Sequence, residues 1–462
     1  MPAVLAPIDL PEFGLPTVQP SIPGATYEAR LAAARARSAD AGYDALLVYG
    51  DREHSANVTY LTGYDPRFEE TLLILLPEGT PRILVGVEGI GYIKSAGAQV
   101  EPVLYPTFSL ISMPRTAARP LATLLREAGL REGMRIGLAG WKYYDQREAD
   151  QPEAWLESPA FIVDTLRQIV GGAGSITNAT ALFMNPRDGL RIINEVDQLA
   201  AFEFASCYSS QGVRQVIFHI EPGKTEIDHA RQISLPGIPH AVHQMLSAGE
   251  RAYQGLPSPS TRVINEGDPF TTAIGLWGSL NARAGFVVRD AAGLPAGASD
   301  YVDKLVKPYF EAAVAWYETI GLGVTGGELY QAVHSRIGDP FFNVGLNPGH
   351  FIHLDEWVSS PVDAGSDIPL RSGMALQIDI IPATGTVYFT TNIEDGIALA
   401  DAELRAAFAA QYPEAWSRIQ ARRAFMMDVL GIRLRPEVLP FSNIPAYLPP
   451  YLLNPGWALR MA

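Results

Sequence analysis

Two histidines and two acids lie close together in one short stretch of this chain. The eight residues that end at Trp357 contain His350, His353, Asp355 and Glu356. A carboxylate that fixes the tautomer of an imidazole prepares it to act as a general base or acid. The two histidines diverge if the segment is extended and converge if it forms a helical turn. The cluster therefore predicts a catalytic role for at least one of the two histidines.

Two further acids lie in apolar segments downstream. Asp379 falls in the strand-like run 374–381, where alternation places its side chain on the opposite face from the flanking isoleucines. Glu394 lies in a second strand-like run, 387–399. For Asp379, strand periodicity favours a position that faces a cavity over one that faces solvent.

The segments that must position these residues alternate between helical and strand-like patterns. In the first part, residues 26–41 predict a helix, and apolar runs predict buried strands at 44–49, 71–76, 82–87 and 135–139. In the second part, further strand-like runs lie at 238–246, 269–276 and 283–288, and helical patterns lie at 190–220, 299–319, 326–337 and 401–430. This order predicts an α/β (α+β) protein of two domains.

The domain boundaries are predicted from proline and glycine. We expect a proline-rich arm at 1–25, a first domain at 26–175, a second domain at 185–430 and a separate tail at 431–462. The tail is too aromatic for a free linker, so we expect it to pack on the body of the protein or on a second subunit.

Composition and charge argue against several classes of function. The formal net charge of −15 disfavours binding to nucleic acid. The single cysteine, Cys207, cannot form an intrachain disulfide, which fits a cytoplasmic protein. The first residues lack the pattern of a secretion signal, and no window approaches about 18 uncharged apolar residues, so we expect no membrane span.

The order of several short motifs resembles that of the pita-bread family, which includes creatinase, prolidase and Xaa-Pro aminopeptidase. The motifs are Tyr60–Tyr64 with Arg67, Leu190–Asp197, Pro222–Glu226, Pro259–Asp268, Gly349–His350, Gly373–Met374 and Glu394–Gly396. The resemblance implies an N-terminal ribonuclease-H-like creatinase domain followed by a C-terminal pita-bread domain. It also implies a homodimer that acts on a small-molecule substrate.

The resemblance further implies where a metal site would lie. Metal-dependent members of the family hold two ions with two aspartates, one histidine and two glutamates. In this chain the aspartate positions are Ala273 and Ala282, and the other three positions are His350, Asp379 and Glu394. Because methyl groups cannot bind a metal ion, we predict a site without one and expect no cofactor. A divalent Mn, Fe, Co or Zn ion on an unusual ligand set is the alternative.

The resemblance to creatinase, which acts without a metal, is also incomplete. The position that matches the catalytic histidine of creatinase is about Leu256 in this chain. Arg67 matches an arginine that creatinase presents from the neighbouring subunit to bind a carboxylate, which implies a similar role here. Arg283 lies next to a lost aspartate position, where its charge could bind a carboxylate or neutralise Glu394 and Asp379.

Three kinds of function remain open on these grounds. The first is a metal-independent hydrolase of a C–N bond in a small polar substrate, with His350 or His353 as the base or acid, assisted by Asp379 and Glu394. The residues predicted to bind the substrate are Arg67, Arg283, Asp355 and Glu356. The second is a metal-dependent Xaa-Pro aminopeptidase or prolidase, and the third is a non-catalytic binding protein. A lyase that abstracts a proton would use the same groups as the hydrolase.

Overall fold

The computed structural model describes residues 2–462, which form two compact units. Residues 21–191 form the first unit. The second unit combines 192–462 with the arm up to Pro20, which contains the first strand, β1 (Ala3–Pro7). No helix among the described residues is long and apolar enough to cross a bilayer.

The first unit contains a mixed six-stranded sheet with helices packed against it. Its helices are α1 (Gly24–Asp40), α2 (Ala56–Thr62), α3 (Gly89–Tyr92), α4 (Leu121–Glu127), α5 (Ala160–Val170) and α6 (Ala181–Met184). Its strands are β2 (Ala45–Gly50), β3 (Thr71–Leu75), β4 (Arg82–Val85), β5 (Glu101–Leu104), β6 (Arg135–Ala139) and β7 (Ser175–Asn178). They lie in the order β5-β4-β3-β2-β6-β7. The apolar run of β2 is buried along its whole length, as its sequence predicts.

The second unit is built on a seven-stranded antiparallel sheet. Its helices are α7 (Val196–Phe218), α8 (Glu226–Ala230), α9 (Lys307–Thr319), α10 (Gly326–Ile337), α11 (Ala402–Gln411) and α12 (Pro413–Ala424). Its strands are β8 (Met245–Ala248), β9 (Pro269–Leu276), β10 (Ser279–Phe286), β11 (His350–Phe351), β12 (Ala375–Asp379), β13 (Asn392–Leu399), β14 (Val438–Pro440) and β15 (Trp457–Met461). The main sheet has the order β11-β12-β13-β10-β9-β8, with β14 also paired to β13, while β1 pairs with β15. The α/β prediction is confirmed.

Some element boundaries differ from the sequence predictions. In place of the strand predicted at 238–246, the structure has an isolated bridge from His240 to Leu276 and then β8. The helix predicted at 401–430 is divided, because Pro413 begins a new helix. Residues 2–20 of the predicted arm and the whole tail are parts of the second unit, whereas 21–25 belong to the first.

A tight turn between β9 and β10 sets the pairing register of these two strands. Trp277 and Gly278 form this two-residue turn. Gly278 has a φ of +89°, and a Cβ there would collide with the ring of Phe202 on α7. The turn thereby brings Ala273 of β9 opposite Ala282 of β10.

Candidate active site

One row of paired residues crosses five strands of the main sheet. Its pairs run from Asp379 to Glu394, from Glu394 to Ala282, from Ala282 to Ala273, and from Ala273 to Met245. Directly paired residues project from the same face of a sheet. All five side chains line one cavity of about 460 Å³. The cavity wall is therefore acidic at one end of the row and apolar at the other.

His350 is fully buried beside the acidic end of this row. Its Nε2 lies 3.3 Å from Glu356 Oε1, 3.9 Å from Asp379 Oδ2 and 4.0 Å from Glu394 Oε1. Its Nδ1 lies 3.2 Å from the carbonyl oxygen of Phe351. A neutral imidazole that donates from Nδ1 to this carbonyl keeps an acceptor lone pair on Nε2. The acceptor nitrogen therefore lies among three carboxyl groups.

Burial favours the neutral form of every titratable group in this cluster. It lowers the pKa of His350 to about 4 and raises the pKa of Asp379 to about 7. Burial, with the charge of Asp379, raises the pKa of Glu356 to about 8. Burial and the neighbouring carboxylates also raise the pKa of Glu394 well above its usual value. At neutral pH the acids, rather than His350, are the groups that exchange protons.

The cluster has the ligand atoms for one divalent ion but not for two. His350, Asp379 and Glu394 each offer a ligand atom, and these atoms lie within 4.8 Å of one another. One imidazole nitrogen and two carboxylate oxygens suit Mn, Fe, Co or Zn. The Nε2 of His350 also has no hydrogen-bond partner within residues 2–462. Ala273 and Ala282 supply no ligand, so these residues fit a single ion.

The structure separates the two histidines of the cluster. The chain is extended at His350 and then bends, so that the ring of His353 packs edge-on against Phe202, with 5.1 Å between ring centres. His353 is fully buried and is not among the described residues that line the cavity. The structure therefore packs His353 against α7 and does not bring it to the acids beside His350, and its catalytic role stays a prediction.

Arg283 is also held away from the cavity. It follows Ala282 on β10, so its side chain projects from the other face of the sheet. There it donates to Asp395 Oδ2 at 2.8 Å and to the carbonyl oxygen of Tyr447 at 2.7 Å. The substrate-binding role predicted for Arg283 is therefore corrected, since the guanidinium is 1% exposed and bound to groups on that face.

Two other predicted substrate-binding residues are not brought to this cavity within the second unit. Arg67 lies in the first unit, where its Nε is 2.9 Å from Asp65 Oδ1. Asp355 accepts a hydrogen bond from the backbone N–H of His353 through its own carbonyl oxygen, at 3.1 Å. Among the described residues it is Glu356, and not Asp355, that lines the cavity. The substrate-binding roles of Arg67 and Asp355 stay predictions.

Two residues of the site are absent from the predicted set. The indole of Trp357 stacks on the ring of His350, with 4.1 Å between ring centres. His243 lines the cavity, and its Nε2 lies 2.8 Å from the carbonyl oxygen of Leu256. His243 lies in irregular backbone before β8, so strand alternation does not indicate that its side chain lines the cavity.

Comparisons with known proteins agree with this architecture. The family model of the Creatinase/Prolidase N-terminal domain matches residues 30–169. The structure of the dipeptidase PepE from Mycobacterium ulcerans is 20% identical, with a TM-score of 0.60 over 82% of this chain and 94% of that one. The prolidase from Thermococcus sibiricus is 19% identical, with a TM-score of 0.63 over 81% of this chain and 95% of that one. The prolidase from Pyrococcus horikoshii OT3 is 17% identical, with a TM-score of 0.61 over 80% and 95%.

None of the curated proteins gave a sequence match to this chain. At these identities the solved structures establish the fold alone. The resemblance inferred from the motifs is confirmed at that level. The chain therefore contains a creatinase/prolidase N-terminal domain and has the pita-bread fold of the prolidase-like proteins.

Proposed function

We propose that the cavity is the active site of a hydrolase that cleaves a C–N bond in a small substrate without a metal ion. One observation carries the proposal: His350 and three acids, Glu356, Asp379 and Glu394, meet at one end of a largely apolar cavity. Buried acids with strongly perturbed pKa values are typical of catalytic sites. The fold shared with a dipeptidase and with prolidases supports a bond of the peptide or amide type.

Hydrolysis needs two proton transfers, and two of these acids are suited to carry out one each. With pKa values of about 7 for Asp379 and about 8 for Glu356, a carboxylate and a carboxylic acid coexist near neutral pH. The carboxylate accepts a proton from water as the water oxygen attacks the carbon of the C–N bond. The carboxylic acid donates a proton to the nitrogen as that bond breaks, and exchange with solvent restores both acids. The neutral Nε2 of His350 lies 3.3 Å from Glu356 Oε1, so it is an acceptor beside the acid that holds the proton.

A hydrolase with a single metal ion is the second candidate. It is favoured by the three ligand atoms of His350, Asp379 and Glu394, which fit one divalent ion. A bound ion would supply a Lewis acid that polarises the substrate. Glu356, whose Oε1 lies 3.3 Å from Nε2 of His350, then remains as the proton acceptor for water.

Activity assays on chelator-treated and metal-loaded protein test both candidates. The substrates are small amides, amidines, cyclic ureides and Xaa-Pro dipeptides. We expect turnover that survives chelation and falls by roughly 100-fold or more in Asp379→Asn and Glu356→Gln. Asp428→Asn, which alters an exposed acid outside the cavity, is the matched control and should keep full activity.

The two candidates differ in their response to metal. Activity that appears only with a stoichiometric ion, measured by elemental analysis, favours the single-ion hydrolase and contradicts the metal-independent one. Absence of turnover in both preparations contradicts both candidates and favours a binding protein.

A further inference from the structure

The acids of the cavity have no cationic side chain beside them in its lining. The charged residues that line it are Glu356, Asp379 and Glu394, and no lysine or arginine of residues 2–462 is among the lining residues. The nearest arginine in sequence to the row, Arg283, donates to Asp395 on the other face of the sheet. An anionic group would therefore meet only acids here, whereas an ammonium or amidinium group would find charge-assisted hydrogen bonds.

Buried acceptor atoms at the acidic end also lack partners. The Oδ1 of Asp379, the Nε2 of His350 and the Oδ1 of Asn392 form no hydrogen bond with any described residue. Asp379 and Asn392 line the cavity, and His350 lies against the same acids. Unpaired buried acceptors are costly, and a ligand that brings several N–H donors on one head satisfies them together.

The other end of the row is apolar. Ala282 and Ala273 follow Glu394 on the next two strands, and Met245 follows on β8. Three residues on adjacent strands span roughly 10 Å, at about 4.8 Å per strand. Leu256 adds a further apolar side chain to the lining, and the carbonyl oxygen of the next residue, Pro257, accepts a hydrogen bond from Leu246 of β8. The alanines at 273 and 282 thus provide a surface that suits an alkyl or aryl group.

We propose that the substrate of this site is a monocation with a compact apolar body and no carboxylate group. This inference rests on the proposed function and names its substrate class. The cationic head binds between Asp379, Glu394 and Glu356, and the body lies along Ala282 and Ala273. Free dipeptides, which carry a carboxylate, are disfavoured by the same arrangement.

Calorimetric titration of chelator-treated protein with four matched probes tests the substrate class without relying on turnover. The probes are butylamine, hexylamine, 6-aminohexanoate and hexanoate. We expect hexylamine to bind about tenfold more tightly than butylamine, because it buries two more methylene groups. We expect 6-aminohexanoate to bind at least tenfold more weakly than hexylamine, and hexanoate not to bind.

Two variants test separately the binding of the amine head at the acidic end and of the alkyl chain at the apolar end. Asp379→Asn should weaken both amines, whereas Leu256→Gln should reduce only the advantage of hexylamine over butylamine. Leu256 is 66% exposed, so a polar side chain is tolerated by the fold there. Ile111→Gln, at a side chain that is 94% exposed in the first unit, is the control and should bind as the wild type does.

Two results with the wild-type protein would overturn the inference. The first is binding of 6-aminohexanoate or hexanoate as tightly as hexylamine, and the second is equal binding of butylamine and hexylamine. Turnover of amides without any amine binding would also overturn it while leaving the proposed function intact. Amine binding as expected, without turnover of any substrate, would support the inference and contradict the proposed function.

Discussion

A backbone carbonyl determines which ring nitrogen of His350 carries the proton and which one is the acceptor. Nδ1 lies 3.2 Å from the oxygen of Phe351, and burial lowers the pKa of the ring to about 4, so the imidazole is neutral at physiological pH. A neutral Nε2 accepts a hydrogen bond from a protonated carboxyl or binds a metal ion, but it is a weak base. Under the proposed function, the acids around His350 rather than the histidine itself would therefore carry the proton transfers.

The raised pKa of Glu356 makes the free energy of unfolding depend on pH. The folded-state pKa is about 8 against an ordinary value of 4.5, so between these values the folded protein holds a proton that the unfolded chain has lost. The stability that this proton supplies is complete at low pH and is lost as the pH rises towards 8. We therefore expect Glu356→Gln to be more stable than the wild type by roughly 4 kcal/mol at pH 8 and by about 1 kcal/mol or less at pH 5. Urea unfolding of chelator-treated protein at both pH values measures the difference, and a gap of the same size at both would refute the assignment.

Strand β10 presents different chemistry on its two faces. Ala282 faces the cavity, whereas Arg283 binds Asp395 of β13 and the carbonyl oxygens of Ile444 and Tyr447 in the tail. Arg283 and Asp395 are almost completely buried, so their ion pair joins two strands of the main sheet to the tail. The guanidinium thus supports the sheet beneath the site instead of binding a ligand.

Removal of this guanidinium should destabilise the second unit. Arg283→Met leaves the carboxylate of Asp395 buried without its charge partner, and we expect it to lower the free energy of unfolding by about 3–5 kcal/mol. Adding Asp395→Asn should recover part of this loss, because an amide keeps an acceptor without a buried charge. Urea unfolding of the single and double variants measures the effect, and no recovery in the double variant would show that the charge itself is unimportant.

The two ends of the chain are joined in the second unit. β1 pairs with β15 from Ala3 opposite Met461 to Pro7 opposite Trp457. The tail therefore packs on the body, the first of the two arrangements expected from its aromatic content. The homodimer and the cytoplasmic location stay predictions, and the role of Arg67 depends on the dimer.

Deletion of residues 2–10 should loosen the tail. It removes the partner strand of β15 and the buried side chains of Ile8 and Leu10, which are each 5% exposed. We expect a loss of about 3–6 kcal/mol in the free energy of unfolding and faster hydrogen exchange at the amides of residues 457–461. Val18→Ala, at a side chain that is 79% exposed, serves as the control within the same arm. Unchanged exchange at 457–461 would mean that β15 is held without β1.

The sequence by itself determined the fold class, most strands and helices, and the presence of methyl side chains rather than metal ligands at Ala273 and Ala282. These are local properties, because alternation, turn residues and motif order are read along the chain. Only the tertiary structure decided which groups these side chains contact. Glu356 lies beside His350, His353 packs in the core, and Arg283 binds carbonyl oxygens of the tail. The bend after β11 and the pairing of distant strands set these positions, and no local pattern encodes where such side chains meet.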